Sequence, residues 1–301
     1  MEKRVIALGF FDGVHRGHGA LLSLCAQRSS QLGAVPAAFT FDLHPSALIP
    51  GKEPVPLLTT PADRSGLMER LYGIREVIVA HYDGRMMKTP WREFVTDYLV
   101  RDHGAVHLVV GHDFHFGYKG EGDPQKLREL CAELGIGCDV VPKVEIDGIT
   151  VSSTHIRSLI SQGDMAGALR FLGHPHILTH TVAHGKKLGS TLGFPTVNLT
   201  FSSGLLVPAY GVYACKAVFE NGDSRMAVTN VGTRPTVQDG DKVTVEGFLL
   251  DFDGDLYGQE VRMEFYRYLR AEKKFDSLDA LRSEVMRNAQ QTREYFARLT
   301  G

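Results

Sequence analysis

Residues 9–18 read Gly9-Phe10-Phe11-Asp12-Gly13-Val14-His15-Arg16-Gly17-His18. They directly follow a short apolar run at 5–8 and open a helical pattern over 17–31. A turn of this kind joins a strand to a helix whose first backbone amides are free, and such a helix start attracts anions. The two imidazoles, three residues apart, fall on one side of the helix start and add two hydrogen-bond donors. Gly17 between them lets a phosphate approach the backbone closely. Taken alone, H-x-G-H is also satisfied by two surface histidines. Its place at the first strand-to-helix turn is what favours phosphate chemistry.

Working outward, strand-like runs at 35–41, 76–80, 106–110 and 138–141 alternate with helical patterns at 62–72, 91–101 and 124–134. Two short helices follow at 153–161 and 164–172. Alternation at these lengths predicts βαβ units around a parallel sheet, with ligands at the carboxyl ends of the strands. After Gly173 the texture changes. Runs at 176–183, 196–200, 211–219, 226–231, 242–251 and 259–269 succeed one another without helices, separated by turn signals such as Asn221-Gly222-Asp223, Asp239-Gly240 and Asp253-Gly254. These predict a six-stranded antiparallel β-barrel or sandwich. A charged helix over 277–299, opened by Ser277, ends the chain. The expected domains are 1–174 and 175–301.

The length of 301 residues, at roughly 150 per domain, agrees with two domains. With 43% apolar and 23% charged residues the chain is not of the disordered class. Its 33 basic against 35 acidic residues leave no excess of base, so neither nucleic acid nor a membrane is an expected partner and small molecules are. The cysteines, Cys25, Cys131, Cys138 and Cys215, form no C-x-x-C pair and read as buried reduced thiols. No apolar run approaches the ~18 residues of a membrane span, and the N-terminal run is too short for a signal peptide. The expected location is the cytoplasm. Thirteen histidines raise the question of a metal. H-E-x-x-H is absent, however, and no cysteine has zinc-like spacing to a histidine pair, so the pairs His112/His115, His174/His176 and His180/His184 read as loop and surface histidines.

Three further stretches carry chemistry. In Val151-Ser152-Ser153-Thr154-His155-Ile156-Arg157 the hydroxyls would cap a helix, and Arg157, one turn in, would reach back to clamp a polyphosphate; a capped helix with a solvated Arg explains the same residues. Thr196 and Asn198 alternate along a strand and share a face, and their oxygens are hard ligands suited to Mg²⁺. The Gly-rich run 185–193, with Lys186 and Lys187, reads as a flap over a nucleotide or as a hairpin loop. Glu246 shares a strand face with Phe248 and Leu250, where desolvation would raise its pKa. The opposite face, Val245, Gly247, Leu249 and Asp251, is nearly as apolar, so periodicity leaves its direction open.

Together these motifs resemble the bacterial bifunctional riboflavin kinase/FMN adenylyltransferase (FAD synthetase) family. The first half carries F-F-D-G-V-H-R-G-H, T-F-D-L-H-P, G-H-D-F-H-F-G and S-S-T-H-I-R. The second carries G-S-T-L-G-F-P-T-V-N over 189–198, G-V-Y over 211–213, N-V-G-T-R-P-T over 230–236 and Val245-Glu246. The resemblance covers nearly the whole chain in order. It implies a Rossmann-like nucleotidyltransferase α/β domain that adenylylates FMN to FAD, releasing pyrophosphate. It implies a β-barrel kinase domain with a C-terminal helix that phosphorylates riboflavin with ATP and Mg²⁺.

Carried residue by residue, the resemblance assigns catalysis to His15, His18, Ser153, Arg157 and Glu246, the last as base. It assigns ATP and its phosphates to Gly9, Phe11, Gly17, Asp113, Thr154, Gly185, Gly193, Thr196 and Asn198. Flavin falls to Asp42, Phe114 and Phe116, and the metal to Thr196 and Asn198. The chain departs from the family pattern at Ser190 and Thr191, where a basic residue is expected, at Phe248, often His, and at Asn288, where an acidic residue is common. Two other readings compete. One is a nucleotidyltransferase for another phosphate acceptor, which would lack the P-T-x-N barrel. The other is a flavin-binding carrier without turnover, against which Thr196, Asn198 and Glu246 stand together.

Overall fold

A computed structural model describes residues 2–49, 51, 53–183, 196–236, 240–254 and 256–300. The run 185–193, with Gly185, Ser190, Thr191 and Gly193, lies outside the described residues, as does His184. The chain divides into two compact units, one ending at Ser153 and the other beginning at Thr154.

In the first unit β1 (Arg4–Leu8), β2 (Val35–Phe41), β3 (Glu76–Ala80), β4 (Ala105–Gly111) and β5 (Gly137–Val141) form a parallel sheet in the order β3-β2-β1-β4-β5. Val5, Ile6, Ala7 and Leu8 are all buried, because helices cover both faces of such a sheet and its strands read as continuous apolar runs. The chain reverses direction across the sheet between β1 and β4, and that switch point is where an open α/β sheet leaves a crevice.

Helix α1 (Arg16–Leu32) ends on Gly33, whose φ of 60° is the left-handed C-cap that glycine adopts without strain. The Cys25 thiol donates to the carbonyls of Val5 at 3.2 Å and Ala37 at 3.4 Å, and burial pushes its pKa up to about 11. It is a packing group between α1 and two strands, not a nucleophile. Helix α2 (Pro61–Tyr72) starts on Thr60, whose hydroxyl accepts from the Asp63 amide at 3.0 Å.

The helical pattern expected over 91–101 proves to be two segments. Helix α3 (Gly84–Met87) precedes it, α4 is only Trp91–Glu93, and a π-helical stretch, Phe94–Asp102, continues it. The wider turn brings Phe94 and Leu99, five residues apart, into the core together. Helix α5 (Pro124–Glu133) and the short hairpin β6 (Glu145–Ile146) and β7 (Ile149–Thr150) complete this unit. The hairpin has two residues per strand, too few to leave a periodic signal.

Helix α6 (Ser153–Ser161) and α7 (Met165–Leu172) precede the second sheet, and α7 packs on two of its strands. These are β8 (His176–Thr181), β9 (Thr196–Leu199), β10 (Gly211–Phe219), β11 (Ser224–Thr236), β12 (Gly240–Leu249) and β13 (Glu260–Arg270). Their order is β8-β13-β10-β11-β12-β9, antiparallel throughout. This is a half-barrel. Its two edges meet at a bridge in which the Ala183 amide donates to the Asn198 carbonyl at 3.1 Å. Val197, Leu199, Val245 and Leu249 fill the concave side, while Val212, Val228 and Leu250 cluster on the other with Ala289 of the C-terminal helix α8 (Leu278–Thr300).

His176 is 4% exposed, and its Nε2 has no hydrogen-bond partner among the described residues. Burial, with a smaller contribution from His174, pulls its pKa from 6.5 down to about 4. The unfolded chain therefore binds the proton more tightly, and stability is lost as pH falls below about 6.5. At roughly 1.4 kcal/mol per unit, the second unit should lose about 2–3 kcal/mol from this group between pH 7 and pH 4.5. Urea unfolding should show that difference between the unsubstituted chain and His176→Leu. Parallel acid limbs would refute it.

Candidate active sites

A cavity of about 580 Å³ opens at the carboxyl ends of the parallel strands. Gly9 and Phe10 line it after β1, Phe41 at the end of β2, Tyr82 after β3, Gly111 to Gly117 after β4, and Pro142 and Lys143 after β5. The crevice that the sheet order dictates is thus occupied by a substantial cavity.

The turn at its floor is strained. Phe11, Gly13 and Val14 have φ of 56°, 79° and 40°, a region that a β-branched residue such as Val14 avoids. Asp12 braces the turn: its carboxylate accepts from the amides of Leu58 at 2.8 Å and Thr59 at 3.2 Å. The Gly13 amide donates to Thr59 Oγ1 at 3.0 Å, and Ser153 Oγ donates to the Asp12 carbonyl at 2.9 Å. Ser153, expected among the catalytic groups, lines the cavity but gives its hydroxyl proton to this scaffold.

His15 and His18 both line the cavity, their rings stacked at 3.6 Å between centroids and 12° from parallel. His15 is the N-cap of α1: its Nδ1 accepts from the His18 amide at 3.2 Å. That nitrogen must be bare to accept, so the neutral ring carries its proton on Nε2 and donates from there. A Cβ on Gly17 would lie 3.1 Å from two atoms of this ring. Any side chain there would press on the His15 ring where it folds back against the helix start. Burial first, then the charges of His15 and Arg64, hold His18 well below the usual histidine range, so it is neutral at physiological pH. Its Nδ1 is buried with no partner among the described residues.

The other expected residues divide. Gly9, Gly17, Asp113, Phe114 and Phe116 line the cavity. Phe114 stacks on Phe116 at 5.4 Å and 18°, while Phe116 itself, 6% exposed, belongs to the core. Asp113 is exposed, with His112 Nδ1 at 3.8 Å. Phe11 is fully buried and meets His18 edge-on at 5.2 Å, a prop for the imidazole. Asp42 pairs with His81 at 2.6 Å and accepts from the Tyr82 amide at 2.9 Å, which fixes the aromatic pair Phe41 and Tyr82 on the cavity wall. Thr154 and Arg157 lie on α6, the guanidinium 3.5 Å from the Thr154 hydroxyl.

A second cavity, about 270 Å³, lies on the convex side of the half-barrel. Register sets Asn198 opposite Glu246 and Glu246 opposite Asn230 in one row, with Thr196 opposite Phe248 beside it. Thr196, Asn230, Glu246 and Phe248 line the cavity with Arg270, Glu272 and Lys273 after β13. Glu246 is half-buried on a strand paired on both sides, not an edge residue turned to water. The two departures that are described have local explanations. Phe248 joins the apolar cluster beneath α8. Asn288, 1% exposed, accepts from Arg270 Nε at 3.1 Å, and Glu284, one turn earlier, supplies the carboxylate at 3.1 Å from the same nitrogen.

Sequence reasoning missed the Asp12–Thr59 brace, the aromatic wall of Phe41 and Tyr82, and the segment Arg270 to Phe275. Each joins residues distant along the chain, and no contiguous motif marks them.

Comparison with known proteins agrees with this geometry. A family model described as FAD synthetase matches residues 1–155, and one described as riboflavin kinase matches residues 172–296. A bifunctional riboflavin kinase/FMN adenylyltransferase of Listeria monocytogenes is 35% identical, over 98% of this chain and 93% of that protein. Proteins of the same name from Bacillus subtilis and Escherichia coli K12 are 32% and 33% identical, over 99% and 98% of this chain and 94% and 93% of theirs. A crystal structure described as a macrolide-efflux protein of Streptococcus pneumoniae superposes with a TM-score of 0.84 at 27% identity, over 97% of this chain and 94% of that one. Among the described residues of this chain no helix is long and apolar enough to cross a membrane.

Proposed function

We infer the working of this chain from the family to which it belongs, the bifunctional riboflavin kinase/FMN adenylyltransferases. It makes flavin cofactors: the C-terminal domain phosphorylates riboflavin to FMN, and the N-terminal domain adenylylates FMN to FAD. The assignment of residues to these steps is our proposal.

In the adenylyltransferase site an oxygen of the FMN phosphate attacks the α-phosphorus of ATP, and the bond to pyrophosphate breaks. Charge gathers on the phosphoryl oxygens, so fixed donors are what the protein supplies. His15 would donate from Nε2, and His18, neutral and with an unmatched Nδ1, would find its partner in a phosphate oxygen. The backbone at Gly9 and Gly17 would admit the nucleotide. Asp113 and the scaffolded Ser153 would complete its pocket, and Thr154 and Arg157 would hold the departing pyrophosphate. Phe114 and Phe116 would face the flavin ring, with Asp42 acting through Phe41 and Tyr82. Phe11 would act only by supporting His18.

In the kinase site the terminal ribityl hydroxyl attacks the γ-phosphorus of ATP, ADP leaves, and Glu246 takes the hydroxyl proton. The row Asn198–Glu246–Asn230 is the observation that carries this assignment. The hydroxyl of Thr196 and the amide oxygen of Asn198 form a hard-donor pair that fits Mg²⁺. Bound there, the ion would neutralise charge on the ATP phosphates. The flap role of Gly185 and Gly193 rests on the sequence pattern alone.

We further propose a functional boundary at 174/175, small molecules as the partners, with neither nucleic acid nor membrane, and a cytoplasmic location. Incubation with riboflavin, ATP and Mg²⁺ should yield FMN first and FAD later by chromatography, and a chelator should stop the first step. Tight flavin binding with neither product would favour the carrier reading. Undiminished FMN formation in excess chelator would remove the metal assignment.

A further inference from the structure

Arg64 is the most unexpected side chain in the first unit. It lies in the first turn of α2 and is 0% exposed. Its Nη1 donates to the Phe10 carbonyl at 2.8 Å, to Thr40 Oγ1 at 2.7 Å and to the Phe41 carbonyl at 3.1 Å. Thr40 Oγ1 donates in turn to the Phe10 carbonyl at 2.8 Å, and the guanidinium stands 4.3 Å from the centroid of the Phe10 ring. Phe10 and Phe41 are cavity-lining residues at the ends of β1 and β2. One guanidinium nitrogen thus ties together the two strand ends that form the cavity floor.

The other two nitrogens, Nε and Nη2, are buried without partners among the described residues. A buried charge with unmatched donors destabilises a fold, so a well-packed apolar residue would serve a purely structural purpose better. Although burial pulls its pKa down to about 10, against the opposing carboxylate of Asp12, the group stays cationic at neutral pH. It is a positive charge that water does not screen, close enough to act on His18.

We propose that Arg64 is a positioning residue of the adenylyltransferase site, clamping the ends of β1 and β2 beneath the nucleotide. The proposal rests on the reading of His15 and His18 as phosphate donors. The groups that face His18 are His15 from the start of its own helix and Arg64 from α2. Asp12 acts on Arg64, and His112, Asp113 and Lys143 line the same cavity from the loops after β4 and β5.

The test uses the full chain carrying Arg64→Met, Arg64→Lys or His18→Asn, with kcat and KM for adenylylation of supplied FMN, and the rate of riboflavin phosphorylation, measured on each. Arg64→Met is expected to lower the adenylylation kcat about 100-fold, and Arg64→Lys, which keeps the charge but loses the planar fork, about 10-fold. Phosphorylation should be unchanged in both. In both variants the loss should fall on kcat with KM little changed, because Arg64 holds the floor of the site and does not bind substrate. Adenylylation kcat within about 2-fold in both Arg64 variants, or a loss confined to KM, would overturn the proposal. If Arg64→Met fails to fold, the kcat of Arg64→Lys decides alone. An unimpaired His18→Asn would instead sink the histidine reading on which the proposal stands.

Discussion

Glu246→Gln should lower the rate of riboflavin phosphorylation by a factor of about 10²–10⁴, the range that a positioned general base contributes. The amide keeps the shape and polarity of the carboxylate but cannot accept the ribityl proton. The side chain stands in a row with Asn198 and Asn230 across three paired strands, and glutamine fills the same volume there. Riboflavin binding should persist, seen as quenching of flavin fluorescence. Adenylylation of supplied FMN should be unaffected, because the cavity that His15 and His18 line shares no residue with the one that Glu246 lines. A rate loss confined to a weaker KM would mean that Glu246 only binds substrate.

The second large effect is expected at His18. His18→Asn should lower the adenylylation kcat by about 10²–10³, as removal of one transition-state donor does elsewhere. His18 is a cleaner probe than His15. His15 Nδ1 also caps α1, and loss of a cap would remove about 0.5–2 kcal/mol of stability together with the donor. The His18 side chain makes no such contact, and its backbone amide, which the cap engages, survives the substitution. FMN should therefore accumulate from riboflavin at the normal rate while FAD does not form. Chromatography of the two flavins with time separates these outcomes.

Much of this was legible in the sequence because the chemistry is contiguous. The turn from Gly9 to His18 carries its own signal, and the continuous apolar run before it is what a strand covered on both faces requires. The switch from helices to strands after Gly173 fixed the architecture of the second sheet, and observed strands differ from expected ones chiefly by a few residues at their ends. The direction of Glu246 was not legible, for a reason the fold supplies. Helix α8 covers the convex side, so Leu250 and Phe248 are as apolar as Val245 and Leu249 on the concave side, and period 2 has no contrast to report. Arg64 was invisible too, since an arginine in a polar helix start ordinarily faces water. The aromatic wall and the Asp12 brace depend on approach between distant segments. They are properties of the sheet order rather than of any stretch of chain.

The central claim is that two independent sites on one polypeptide act in series, each through its own residues. Mixing two singly impaired chains tests it directly. From riboflavin, ATP and Mg²⁺, Glu246→Gln alone should give almost no FMN or FAD, and His18→Asn alone should stop at FMN. An equimolar mixture of the two should make FAD, because FMN released by one chain is adenylylated by the other. A mixture that stops at FMN, or a single substitution that abolishes both activities, would contradict it.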